Sequence, residues 1–207
     1  NDFASIDTSN TSQGYVMVKY NGTNEKVKLQ ITCPDQSCYT YLISDRGAYD
    51  TFPLTAGNGS YALQVLENVA GDTYTVSLAQ SINVSIEDEF LPFLYPNQYV
   101  NFHTDSKAVS KGSDLAKDTY SDLDVVQNIY NYVIKNISYD TEKAQNVSYG
   151  YVPDIDDTLS SKKGICFDYA ALMTSMLRSQ NIPNWKSVTP EMPTMPGSAH
   201  ILMTKAG

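Results

Sequence analysis

Two periodicities divide the chain. From Gly14 to Ile86, short runs of alternating or β-branched residues (GYVMVKY, KVKLQIT, CYTYLI, GSYALQVLENV, YTVSLAQSINVSI) are separated by turn signals such as Asn21-Gly22 and Gly71-Asp72. Turns spaced about ten residues apart around period-two runs predict an antiparallel sandwich of the immunoglobulin-like kind over residues 14–88, preceded by an N-terminal tail at 1–13. Residues 89–104 hold two prolines and many aromatics without either period, and read as an ordered linker. After residue 105 the period becomes helical. Ser121 with Asp124 three residues on forms a capping-box pattern, and Val125, Val126, Ile129, Tyr130, Val133, Ile134 and Ile137 follow at helical spacing. The polar stretch 138–151 reads as loop and 156–161 as one or two helical turns. The second domain is thus expected at 105–207, with 184–207 atypical, and the fold class is α+β.

Composition narrows the function classes. Apolar residues are 42% and charged residues 18% of 207, enough for two real cores and too little charge for a disordered chain. Lys plus Arg is 14 against 23 for Asp plus Glu, a net charge of −9, and the one basic cluster is Lys162-Lys163, so nucleic acid and anionic membrane are not expected partners. No apolar run approaches the ~18 residues of a membrane span. The chain begins at Asn1 rather than Met, read as the end left by removal of an export signal, and with 16 tyrosines and many asparagines this places it as a secreted or cell-surface protein. With two histidines, His103 and His200, no zinc cluster is credible, and no phosphate loop or other cofactor motif occurs, so no cofactor is expected.

Cys33 and Cys38 bracket the turn Pro34-Asp35-Gln36-Ser37, and a hairpin there would set the two thiols opposite each other, which permits a disulfide. The alternative is that all three cysteines are reduced and buried. Cys166 differs. It follows Lys162-Lys163-Gly164-Ile165 and opens the helical run FDYAALMTSMLR, with Ala170, Met173, Thr174 and Leu177 on one face. A thiol on the first turn of a helix meets unpaired backbone N–H groups and the positive end of the helix dipole, which favour the nucleophilic thiolate. A buried packing cysteine is the competing reading.

The segment GICFDYAALMTSMLRSQNIP resembles the core motif of the transglutaminase-like superfamily: glycine-x-cysteine, Asp-Tyr-Ala, a helix with an Arg, and a terminal Ile-Pro. ISYD at 137–140, Tyr-Gly-Tyr-Val-Pro and Asp-Asp-Thr-Leu at 156–159 resemble the lead-in of the same proteins. The resemblance implies a papain-like domain, mainly its helical half, in which Cys166 attacks a Gln side-chain amide or a peptide carbonyl and the acyl-enzyme passes to a Lys amine or water. A protein or peptide substrate is then expected, with a cell-wall or surface protein as one source. A non-catalytic surface interaction or adhesion module is the alternative function.

The family's later landmarks, a His-Ala-Trp strand and an Asp on the next strand, are not found. His200 lies 34 residues after Cys166, but no Asp or Glu follows it, and prolines stand at 190, 193 and 196. A set of synonymous codons chosen for Lys186 to Gly207, read in a shifted frame, spells VGYAGDAYHAWISTYLDDKGW, with the Gly-Tyr, His-Ala-Trp and Gly-Trp landmarks of the family. A frameshift near Pro183-Asn184 that truncates the domain and removes the catalytic His and Asp is therefore expected, leaving Cys166 as the one catalytic candidate. An incomplete C-terminal domain would also expose an apolar face able to form a homodimer.

Overall fold

The computed structural model describes residues 2–43, 47–186 and 201–202. The chain divides into two compact units, Asn1–Pro92 and Phe93–Gly207.

Among the described residues the first unit has seven strands: β1 (Ala4–Asp7), β2 (Tyr15–Tyr20), β3 (Val27–Thr32), β4 (Cys38–Leu42), β5 (Tyr49–Pro53), β6 (Gly59–Ala70) and β7 (Thr73–Val84). They form two antiparallel sheets, ordered β1-β2-β5 and β4-β3-β6-β7. Period-two patterning positions them: Val16 and Val18 on β2, Leu29 and Ile31 on β3, and Leu63 and Val65 on β6 all point inward and are fully buried with Phe52 of β5. At the corner before β6, the Tyr61 hydroxyl donates to Gly57 O at 2.8 Å and accepts from Ala56 N at 3.1 Å. A tyrosine tied back to backbone a few residues upstream at this corner is a mark of immunoglobulin-like sandwiches.

Two expectations need correction here. Residues 1–13 are not a tail, because β1 pairs with β2 in the register Ala4↔Tyr20 to Asp7↔Met17. Nor is there a hairpin disulfide. The register sets Cys38 opposite Thr32, not Cys33; Cys33 faces the core at 2% exposure while Cys38 is exposed, and both thiols are free. Neighbouring positions of a strand look to opposite faces, so one residue of register separates the two sulfurs.

The second unit contains α1 (Lys107–Ala116), α2 (Asp122–Asn136), β8 (Ser138–Tyr139), α3 (Thr141–Asn146), α4 (Ile155–Ser161), β9 (Lys163–Gly164), α5 (Cys166–Ser179), β10 (Trp185–Lys186) and β11 (Ile201–Leu202). The predicted cap holds, with the Ser121 hydroxyl accepting from Asp124 N at 3.2 Å. Val125, Val126, Ile129, Val133 and Ile137 are buried, whereas Tyr130 and Ile134 stay half exposed, so the buried stripe is narrower than the apolar one. The other side of that core is α5, on which every residue from Ala170 to Arg178 is buried. It is a central helix, wrapped well beyond the one face read from sequence. α1 crosses it closely, since a Cβ on Gly112 would fall 3.0 Å from Met176 O, and Asp156 of α4 caps α1 by accepting from Lys107 N and Ala108 N at 3.0 and 2.9 Å.

Residues 138–151 are not simply loop. β8 pairs in parallel with β9, Ser138 opposite Lys163 and Tyr139 opposite Gly164, and α3 follows, capped by Asp140 accepting from Lys143 N at 2.8 Å. In the C-terminal segment β10 and β11 form an antiparallel pair, Trp185 opposite Leu202. Among the described residues the architecture is a β sandwich followed by a helical, α+β unit.

Candidate active site

The sequence Gly164-Ile165-Cys166-Phe167-Asp168 makes a sharp entry from β9 into α5. Ile165 is the N-cap, in extended backbone (φ −93, ψ 175), and Cys166 is the first helical residue. Asp168, in the third helical position, folds back so that its Oδ2 accepts from Ile165 N at 2.8 Å. A carboxylate here satisfies one of the orphan donors of the helix start. The glycine is a steric requirement: a Cβ on Gly164 would lie 2.7 Å from Asp168 Cβ and 3.2 Å from both Asp168 Oδ2 and Thr158 Cγ2. Glycine-x-cysteine-x-aspartate is therefore one packed turn. It presents Cys166 partly exposed while Asp168 is wholly buried.

Two side chains from upstream meet the carboxylate. Lys143 Nζ of α3 bonds Oδ2 at 2.9 Å and the Tyr151 hydroxyl donates to Oδ1 at 2.5 Å. The ammonium also sits 4.6 Å from the centre of the Tyr151 ring. Burial works against the Lys143 charge, but the bonds to Asp168 and Tyr151 outweigh it and hold its pKa above the ordinary lysine value. Burial and the bond to Asp168 likewise raise Tyr151. Phe167, next to the thiol, stacks at 5.6 Å from Tyr99 and 6.3 Å from Tyr151. The Tyr169 hydroxyl donates to Ile137 O at 2.6 Å, fixing β8 to the same turn.

The far end of α5 is anchored by Arg178. Its Nη1 donates to Tyr95 O at 2.7 Å and its Nη2 to Asn184 O at 3.0 Å. Burial pushes the guanidinium down to about 10, because among the described residues carbonyl oxygens and no carboxylate receive it.

Of the residues singled out in the sequence, Cys166 stands where the motif puts it. Lys162 and Lys163 are exposed on the approach, Lys162 in left-handed backbone (φ 56) as the C-cap of α4. Cys33 and Cys38 belong to the first unit. His103 is exposed ahead of α1, and His200 lies outside the described residues. Among the described residues no cluster of His, Cys, Asp and Glu could hold a metal ion. Sequence reasoning missed Lys143 and the task of Tyr151. The available signal was the pair ISYD and Tyr-Gly-Tyr-Val-Pro, which flank α3.

Comparison with known proteins bears on this turn directly: the model of the transglutaminase-like superfamily matches residues 110–187. These residues are a transglutaminase-like core. The matched span runs from α1 through β10 and includes Lys143, Tyr151, Gly164, Phe167 and Asp168 of this turn. A UPF0252 protein of Methanocaldococcus jannaschii is 34% identical over 62 residues, which are 28% of this chain and 18% of that protein, so this chain spans a small part of the relative's length. A solved structure of a candidate protease from Parabacteroides distasonis aligns with 88% of this chain and 50% of its own at 14% identity, with a TM-score of 0.34, too low to carry argument. The match places residues 110–187 in a general cysteine-protease-like and acyltransferase superfamily. No helix among the described residues is long and apolar enough to cross a membrane.

Proposed function

We propose that the protein is an exported transglutaminase-like thiol enzyme that opens protein amide bonds through Cys166, and that this 207-residue form turns over slowly or not at all. The observation that carries the reading is the built turn from Gly164 to Asp168, which holds a partly exposed thiol in the first helical position over a buried, fully bonded carboxylate. The Sγ thiolate would attack the carbonyl carbon, the C–N bond would break, and the amine would leave with a proton. The thioester would then pass to an amine or to water.

The departing amine is where this form falls short. Protonating it takes an oriented imidazole, worth about 10²–10⁴ in rate. The residues from Ile201 to Gly207 include no acidic side chain to orient His200. A frameshift near Pro183-Asn184, in place of the His-Ala-Trp segment, accounts for that deficit. Proteins at the cell surface, cell-wall protein among them, are the proposed substrates, and a dimer through the C-terminal unit is the associated assembly.

The test pairs this chain with its shifted-frame counterpart carrying VGYAGDAYHAWISTYLDDKGW from residue 187. Incorporation of a fluorescent primary amine into a Gln peptide, and peptide hydrolysis, should be near background for the first and clear for the second, and Cys166→Ala should abolish the second. Turnover by the present chain that vanishes with His200→Ala would make His200 the base and overturn the loss of activity. A restored chain with no thiol-dependent chemistry would favour a non-catalytic interaction module.

A further inference from the structure

Asp168 is an expensive residue to bury. It is 0% exposed, and removing a carboxylate from water costs several kcal/mol unless every oxygen is met. Here three donors from three segments meet it: Ile165 N from its own turn, Lys143 from α3, and Tyr151 from the stretch after α3. A buried ion pair is weak support for stability and better attested as a device that fixes register. Asp168 also lies two residues from Cys166 on one turn, so its negative charge, left alone, opposes formation of a thiolate there.

We propose that Lys143, assisted by Tyr151, is a positioning residue for the Cys166 thiol: it cancels the Asp168 charge beneath the helix start and locks α3 to that turn. This rests on the reading of Cys166 as the nucleophile. The arrangement is specific to the site. Lys143 is held from two sides, by the carboxylate at 2.9 Å and by the Tyr151 ring at 4.6 Å, and Tyr151 in turn packs on Phe167, the residue between Cys166 and Asp168. The other ionisable groups of the surrounding elements are engaged elsewhere or face water. Asp140 caps α3 by accepting from Lys143 N, Asp154 caps α4, Asp156 caps α1, Glu142, Asp157, Lys162 and Lys163 are exposed, and Tyr169 donates to Ile137 O.

The experiment is the rate of iodoacetamide labelling of Cys166 in the full chain as a function of pH, read by peptide mass spectrometry. It needs no amide substrate, so a chain without turnover still gives the answer. With Lys143→Met, whose helical circular dichroism should match wild type, the pH of half-maximal rate should rise by about one unit, making labelling about tenfold slower near neutrality. Lys143→Arg should restore the wild-type profile, and Asp168→Asn added to Lys143→Met should bring it back as well. A folded Lys143→Met protein with an unchanged profile would overturn the proposal. If Lys143→Met does not fold, Lys143→Gln with Asp168→Asn decides: both charges go and the bonds remain, so a profile within about threefold of wild type supports the pairing and a tenfold loss overturns it. No labelling of Cys166 in any variant would instead overturn Cys166 as the nucleophile, and this inference with it.

Discussion

Gly164→Ala puts the whole construction of the cysteine turn under strain from a single methyl group. The new Cβ falls 2.7 Å from Asp168 Cβ, whereas carbon atoms settle at about 3.5–4.0 Å, so close to 1 Å has to be found. Asp168 Cβ cannot swing away, being fixed to the first turn of α5, and its carboxylate is held at 2.8 Å by Ile165 N and at 2.9 Å by Lys143. Thr158, with its methyl 3.2 Å from the same point, blocks the opposite escape and is itself buried. Overpacking a core costs about 1–3 kcal/mol, and loosening a buried charged pair adds to it, up to about 3–5 kcal/mol for a pair fully broken. A loss of about 2–4 kcal/mol is expected. The α-helices among the described residues lie in the second unit, so urea unfolding followed at 222 nm reads mainly that unit. At a slope of ~2 kcal/mol per molar, the midpoint should fall by about 1–2 M. A midpoint within about 0.3 M of wild type would refute the reasoning, because the glycine would then be a matter of sequence habit and not of space.

Three further outcomes are expected. Brief alkylation of the native protein without reductant should label Cys166 and the exposed Cys38 and spare Cys33, whose thiol burial pushes up; rapid labelling of Cys33 would contradict its place in the core. The fragment 1–92 should keep a cooperative thermal transition of its own, since it contains both sheets and their core; a fragment without a transition would tie the sandwich's stability to the second unit. The second unit should weaken in alkali. Lys143 and Tyr151 have folded pKa values above their ordinary 10.5 and 10.0, so their contribution is complete below those values and is lost as pH rises through the raised ones. The urea midpoint at 222 nm should therefore fall above about pH 10, and less so in Lys143→Met.

Much of this fold is written in periodic apolar positions, and the parts that are not lack such positions for identifiable reasons. The sandwich strands β2, β3 and β6 alternate plainly, and α2 announces itself by a capping serine and a repeating Val/Ile stripe. α1 is silent because its buried residues are Ala108 and Gly112, small side chains that permit close approach to α5 without a hydrophobic signal. α3 is silent because TEKAQN buries nothing apolar and is held by a cap and an ion pair instead. Lys143 was out of reach for the same cause: a lysine in a hydrophilic hexapeptide reads as solvated until its carboxylate partner, 25 positions later, is placed beside it. The cysteine pair Cys33 and Cys38 failed on register, which a count of turn residues does not determine. Cys166 was legible because glycine, cysteine and aspartate are each dictated by the same tight turn.

That turn draws its closest partners from a short stretch of chain. Ile137 receives the Tyr169 hydroxyl, Ser138 N donates to Lys162 O, and Lys143 and Tyr151 reach Asp168. All of them precede the cysteine and lie 17 to 32 residues from their partners. On the ribosome they emerge before anything past Pro183, at a pace of about 5–20 residues per second. The thiol's cradle can thus be complete while the downstream chain is still being made. Assembly of this half-site is then a vectorial event, finished from the upstream side, and changes in the later strands are felt in chemistry before they are felt in how the cysteine is seated.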